Sequence, residues 1–223
     1  MTEPNYTVRL SRRELRLMFR RLLVANDAVP GSIPAVRDAL VCATALGHPV
    51  LTAVLSSPSL LASASRIVAP SWTVADGTLI FDGRGQWAGV LAPAFADLVT
   101  LAVRRDGVTR VRVVDVVDPS LLDGSRERLS AQGLVLSLSG SGSFTVAVGV
   151  ADEGWLRAER ALIESGIPCG REAWLAAYRA SLEGLAPESE ESYKHAGYLD
   201  ASGELIHTMD DDDDIEAALT GHH

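Results

Sequence analysis

The chain has 223 residues, 47% of them hydrophobic, and a formal net charge of −9. That is enough apolar material for one sizeable core or two fused subdomains. The acidic balance argues against nucleic-acid binding, which needs a basic surface to displace counterions. No run of about 18 apolar residues is present, so no membrane span is expected. Residues 1–6 have neither a basic nor an apolar stretch, so no secretory leader is expected and the predicted location is cytoplasmic. The charge is uneven: residues 184–223 hold eleven acids against Lys194, a net −10, which leaves about +1 for the rest.

Tyr6–Leu10 reads as a short strand. Ser11-Arg-Arg-Glu14 is a capping box, in which hydroxyl and carboxylate each satisfy a free backbone N–H. The helix that follows places Leu15, Met18, Phe19, Leu22 and Leu23 on one face. Arg12, Arg13, Arg16 and Arg20 fall on the other. Ser32-Ile-Pro34 opens a second helix, closed by Gly47. His48 then reads as a partner of the helix C-terminal dipole. A shorter helix is predicted over 49–56 and an edge strand over 62–68. Asp76-Gly77 and Asp82-Gly83 bracket a strand, Thr78–Phe81.

Gly83–Asp97 is apolar yet interrupted by three glycines and a proline, with Trp87, Leu91 and Phe95 at a spacing of four. It reads either as a loop and short helical turn packed on the sheet or as an exposed apolar patch for a partner. Leu98–Val103 and Val108–Val114 are β-rich runs joined through Asp106-Gly107, a hairpin signal. Asp118-Pro119 starts a short helix, with Asp118 as its N-cap and Pro119 at N1. Leu134, Leu136, Leu138 and Phe144, Val146, Val148 alternate around Ser139–Gly142 and predict a second hairpin. Asp152 caps a helix ending at Gly166, and a last one runs from about Arg171 to Leu182 with Trp174, Tyr178 and Leu182 on one stripe. The resulting expectation is an α+β fold: a mainly antiparallel sheet with helices packed on it, two β-β-α halves in succession, over residues 1–184. Residues 185–223 read as a flexible, acidic C-terminal tail.

Motifs for chemistry are sparse. Gly83-Arg-Gly85-Gln-Trp-Ala88 matches G-x-G-x-x-A after a strand, but no long helix is expected there, the neighbouring strands read as antiparallel, and Trp87 would crowd a pyrophosphate. Cys42 and Cys169 make neither a disulfide framework nor a zinc site and read as buried thiols in helical surroundings. The aspartates at 210–214 lack an EF-hand's glycine and terminal glutamate. No catalytic residue, metal or cofactor is expected.

The order of elements resembles the EspG family, the cytosolic chaperones of type VII (ESX) secretion. The resemblance rests on Val8–Phe19, on Leu98–Val114, on a short helix over Ser120–Leu129, on Gly142–Val148, and on the helix ending near Ile163–Pro168. Met18-Phe19 stands where that family has a tryptophan, and an acidic tail replaces its later third. The resemblance implies a non-enzymatic adaptor that covers an apolar surface of a helical PE–PPE-type substrate before export. It also implies partner contacts at the inter-strand segment carrying Trp87, Leu91 and Phe95, and at Trp174 and Tyr178. A shorter stretch, Ala75–Gly83 with Gln86-Trp-Ala88 and Phe95–Arg104, resembles the strand–Trp–strand run in the β-domain of acyl-CoA dehydrogenases, which would imply a flavin. An assembly protein of another system is the third alternative.

Overall fold

The computed structural model describes residues 7–184, apart from Pro58, Ser141 and Val150. The acidic segment 185–223 and its aspartate block lie outside the described residues. The first element, β1 (Thr7–Leu10), leads directly into α1 (Arg12–Ala25). The capping box forms as expected. The Ser11 hydroxyl accepts from the Glu14 N–H at 3.2 Å, and the Glu14 carboxylate accepts from the Ser11 N–H at 2.7 Å. All five apolar residues of the predicted face are buried. They pack on α2 (Ile33–Ala45), whose Val36, Leu40, Val41 and Ala43 are buried in turn. Short helices α3 (Val50–Ser56) and α4 (Ser59–Ala62) follow. A helical turn, Ser63–Ser65, completes this stretch where an edge strand was expected.

β2 (Ser71–Ala75) and β3 (Thr78–Trp87) form a hairpin through Asp76-Gly77. Both turn residues have positive φ, 48° and 68°, which suits a two-residue turn between twisted strands. The chain then enters α5 (Ala88–Asp106), a 19-residue helix, and returns as β4 (Arg110–Val117), parallel to β3. The expected hairpin at Asp106-Gly107 is therefore absent. Gly107, at φ 65°, is instead the left-handed cap of α5, and its N–H closes the last turn on Val103 O. Leu98–Val103 is helical because Val99 and Ala102, with Leu91, Phe95 and Ala96 before them, are buried on one side of α5, while Leu101 faces out.

A helical turn, Pro119–Ser125, runs into α6 (Arg126–Ser130). Asp118 has positive φ and makes no side-chain cap bond, contrary to expectation. β5 (Leu134–Gly140) and β6 (Ser143–Val148) make the second predicted hairpin. α7 (Glu153–Ser165), β7 (Ile167–Gly170) and α8 (Arg171–Leu182) end the described chain. Hairpin-then-helix occurs twice, as β2-β3-α5 and β5-β6-α7, but the first lies at residues 71–106 and not at the expected 98–129.

The five-stranded sheet has the order β2-β3-β4-β6-β5, antiparallel except between β3 and β4, and β1 pairs antiparallel with β7 in a separate ribbon. The fold is thus α+β with helices on a mixed, mostly antiparallel sheet. Leu79, Phe81, Val111, Leu136, Phe144 and Val146 form the covered face and are buried. α5 lies on that face. Phe95 meets Phe81 edge-to-face at 5.2 Å and Phe144 at 5.6 Å, each contact adding roughly 0.5–1.5 kcal/mol beyond burial. No single helix among the described residues is long and apolar enough to cross a membrane.

Candidate functional site

The five residues singled out for partner binding separate into two groups. Trp87, Leu91 and Phe95 are core: at most 1% of any of them is exposed. Their spacing of four was the first turns of α5, and the expected surface patch is not there. Trp87 closes β3, and its ring lies against Gly89, where an added Cβ would come within 2.4 Å of the indole. The strand–Trp–strand run of the flavoprotein resemblance fails for the same reason, because its second strand is α5.

Two arguments against the G-x-G-x-x-A reading also change. A long helix does follow, and the adjacent strand is parallel. A pyrophosphate still finds no room at the helix start. Ala88, Val90 and Leu91 are buried, and the Gln86 amide turns inward to bond Val68 N, Val68 O and Gly83 O at 2.7–3.0 Å.

Trp174 and Tyr178 stand differently. They lie one turn apart on α8, with ring centroids 6.2 Å apart. Ala177 and Ser181 face inward, while Leu175, Tyr178 and Leu182 are 36%, 43% and 41% exposed. The i, i+3, i+7 spacing puts these three on one apolar stripe. α8 packs on α1, α3 and the β1–β7 ribbon, so the stripe is presented by a helix fixed on its other side.

A cluster that the sequence does not disclose joins elements distant in the chain. His48 Nε2 lies 3.4 Å from Asp123 Oδ2. Arg126 Nε lies 3.7 Å from Asp123 Oδ1 and 3.3 Å from Asp152 Oδ2. Arg126 also donates to Leu136 O through Nε and Nη2, at 3.1 and 2.8 Å. Asp152, 2% exposed, spends its other oxygen as the N-cap of α7, accepting from Trp155 N at 3.0 Å. The group ties α6, β5 and α7 together. Next to it, Arg12 pairs with both Glu127 and Glu159. Burial pushes the Glu127 carboxyl above the usual carboxylate range in spite of Arg12. His48 was expected only at a helix end; its carboxylate partner is 75 residues away, which no local pattern could signal.

Two clefts adjoin these groups. One, of about 230 Å³, lies between α2, α5 and α6 and is lined by Ala39, Ala92 and Pro93 with Asp38, Glu127 and Arg128. The other, of about 440 Å³, lies between the α2–α3 connection and the β1–β7 ribbon and holds His48 and Cys169. Cys42 is buried as expected, and burial pushes its thiol well above the usual range. Cys169 is on strand β7 and only half-buried, a correction to its expected helical setting. Among the described residues no group of three His, Cys, Asp or Glu side chains could hold a metal ion.

No family model, curated protein or solved structure matches the chain.

Proposed function

We propose that this chain is a cytoplasmic protein-binding adaptor whose contact surface is the exposed side of α8. The observation that carries this reading is the stripe Leu175, Tyr178 and Leu182 beside the half-buried Trp174. Single exposed apolar residues are ordinary on any protein; an aligned set with an aromatic pair on a fixed helix is what a partner helix packs against. Aromatic anchors of this kind are typically worth about 2 kcal/mol or more at an interface. A nearly neutral body favours such packing, since charged residues are depleted at interface cores. The partner class rests on the sequence resemblance to the EspG family alone: a helical secretion substrate of PE–PPE type, held with its apolar surface covered before export.

The test is co-purification of the full chain from its native host, with the partner identified by mass spectrometry. Recovery of a helical secretion substrate, reduced at least tenfold in Tyr178→Asp while circular dichroism is unchanged, supports the reading. Undiminished recovery in that variant refutes the site, and recovery of no such substrate refutes the role.

A further inference from the structure

We infer that the cleft between the α2–α3 connection and the β1–β7 ribbon is a binding site for a small neutral molecule with an apolar body and one hydroxyl group. Its volume, about 440 Å³, is in the range of small-ligand pockets. Leu10, Val50, Leu51 and Ile167 make its walls apolar, and no Lys, Arg, Asp or Glu lines it. A charged ligand would lose its hydration there without gaining a counter-charge.

The polar groups of the cleft are mostly spent. The Thr44 hydroxyl donates to Leu40 O at 2.7 Å, and the Cys169 thiol donates to Gly170 O at 3.5 Å. Burial pushes that thiol above its ordinary range, so it stays protonated and uncharged. Two groups are not spent: the Thr52 hydroxyl, on an exposed residue with no partner among the described residues, and the His48 ring. Its Nε2 faces the Asp123 carboxylate, which only accepts, so Nε2 carries the hydrogen. In the neutral ring Nδ1 is then a lone-pair acceptor, and it has no partner among the described residues. An acceptor held in one tautomer at the side of an apolar cleft selects a ligand that brings a donor. A hydroxyl on an apolar body satisfies both halves of the lining. This site is separate from the α8 stripe and does not depend on it.

The test uses the full chain with 1-octanol as probe and n-octyl methyl ether as the analogue that lacks the donor. The readout is alkylation of Cys169 by iodoacetamide in alkaline buffer, where the small thiolate fraction reacts, followed by peptide mass spectrometry. Cys42 is fully buried and stays unmodified as long as the protein is folded. Octanol is expected to slow Cys169 alkylation saturably by at least fivefold, and the ether to need at least fivefold higher concentration. Ala173→Leu, which fills the cleft from α8, should abolish the protection. His48→Phe should erase the difference between alcohol and ether. Absence of saturable protection, or equal protection in Ala173→Leu, would overturn the site. Equal affinity for alcohol and ether in the unaltered chain would overturn the hydroxyl preference.

Discussion

Trp87 gives the sharpest test of the fold. Replacing it by Ala removes the largest side chain of the core from beneath the start of α5. Truncation of a buried Trp or Phe to Ala typically costs about 3–5 kcal/mol. One term reduces that here: the indole Nε1 is buried with no hydrogen-bond partner, so its desolvation already weighs on the folded state by roughly 1–3 kcal/mol. The expected loss is therefore near the lower bound, about 3 kcal/mol. For a chain of this size that lowers Tm by roughly 6–12 °C. With a urea m-value of about 2 kcal/mol/M, it moves the midpoint by about 1.5 M. Trp87→Phe keeps most of the packing and removes the orphaned donor, so it should stay within about 1 kcal/mol of the unaltered protein. Urea titration followed by far-ultraviolet circular dichroism measures both. An Ala variant within 0.3 M of the unaltered midpoint (roughly a fifth of the expected shift), or a Phe variant as weak as Ala, would refute the burial argument.

Two further perturbations probe the polar cluster. Asp152→Ala removes an N-cap and leaves Arg126 short of a partner, and should cost about 2–3 kcal/mol by the same titration, whereas Asp152→Asn, which still caps, should recover about 1 kcal/mol. Glu127 binds its proton more tightly folded than unfolded, so its contribution to stability falls as pH rises from its ordinary value of 4.5 through the raised one. Glu127→Gln abolishes that component; relative to the unaltered chain it should therefore gain stability across that window and run parallel above it. Parallel curves throughout would show that burial does not control this carboxyl.

What the sequence discloses depends on how local the physics is. The α1 capping box, the Asp152 cap and the β5–β6 hairpin each lie within a few residues, and each forms as read. α5 is misread because Asp-Gly ends helices as readily as it turns hairpins, and because β-branched residues near Val99 and Val103 raise strand propensity that tertiary packing overrides. The period of four through Trp87, Leu91 and Phe95 was the better guide, obscured by Pro93 and Gly89 within the first turns. Pro93 is tolerated near the helix start, where it forfeits a single backbone bond. The candidate sites follow the same rule. The α8 stripe is visible as helical spacing, while the His48–Asp123 and Arg126–Asp152 pairs exist only after residues far apart in the chain meet.

The β1–β7 ribbon also bears on how the chain reaches this state. It pairs Thr7–Leu10 with Ile167–Gly170, residues about 160 positions apart. Bringing such distant ends together costs roughly 4–5 kcal/mol in loop-closure entropy, before any constant term, and four residue pairs can offset it only once the intervening body has already folded. The ribbon is thus the clasp that shuts last and opens first. Opening it frees the two short strands while α8 keeps its packing on α1 and α3, so the apolar stripe stays presented when the clasp is open, and protease cleavage within 167–170 should precede cleavage anywhere in the five-stranded sheet.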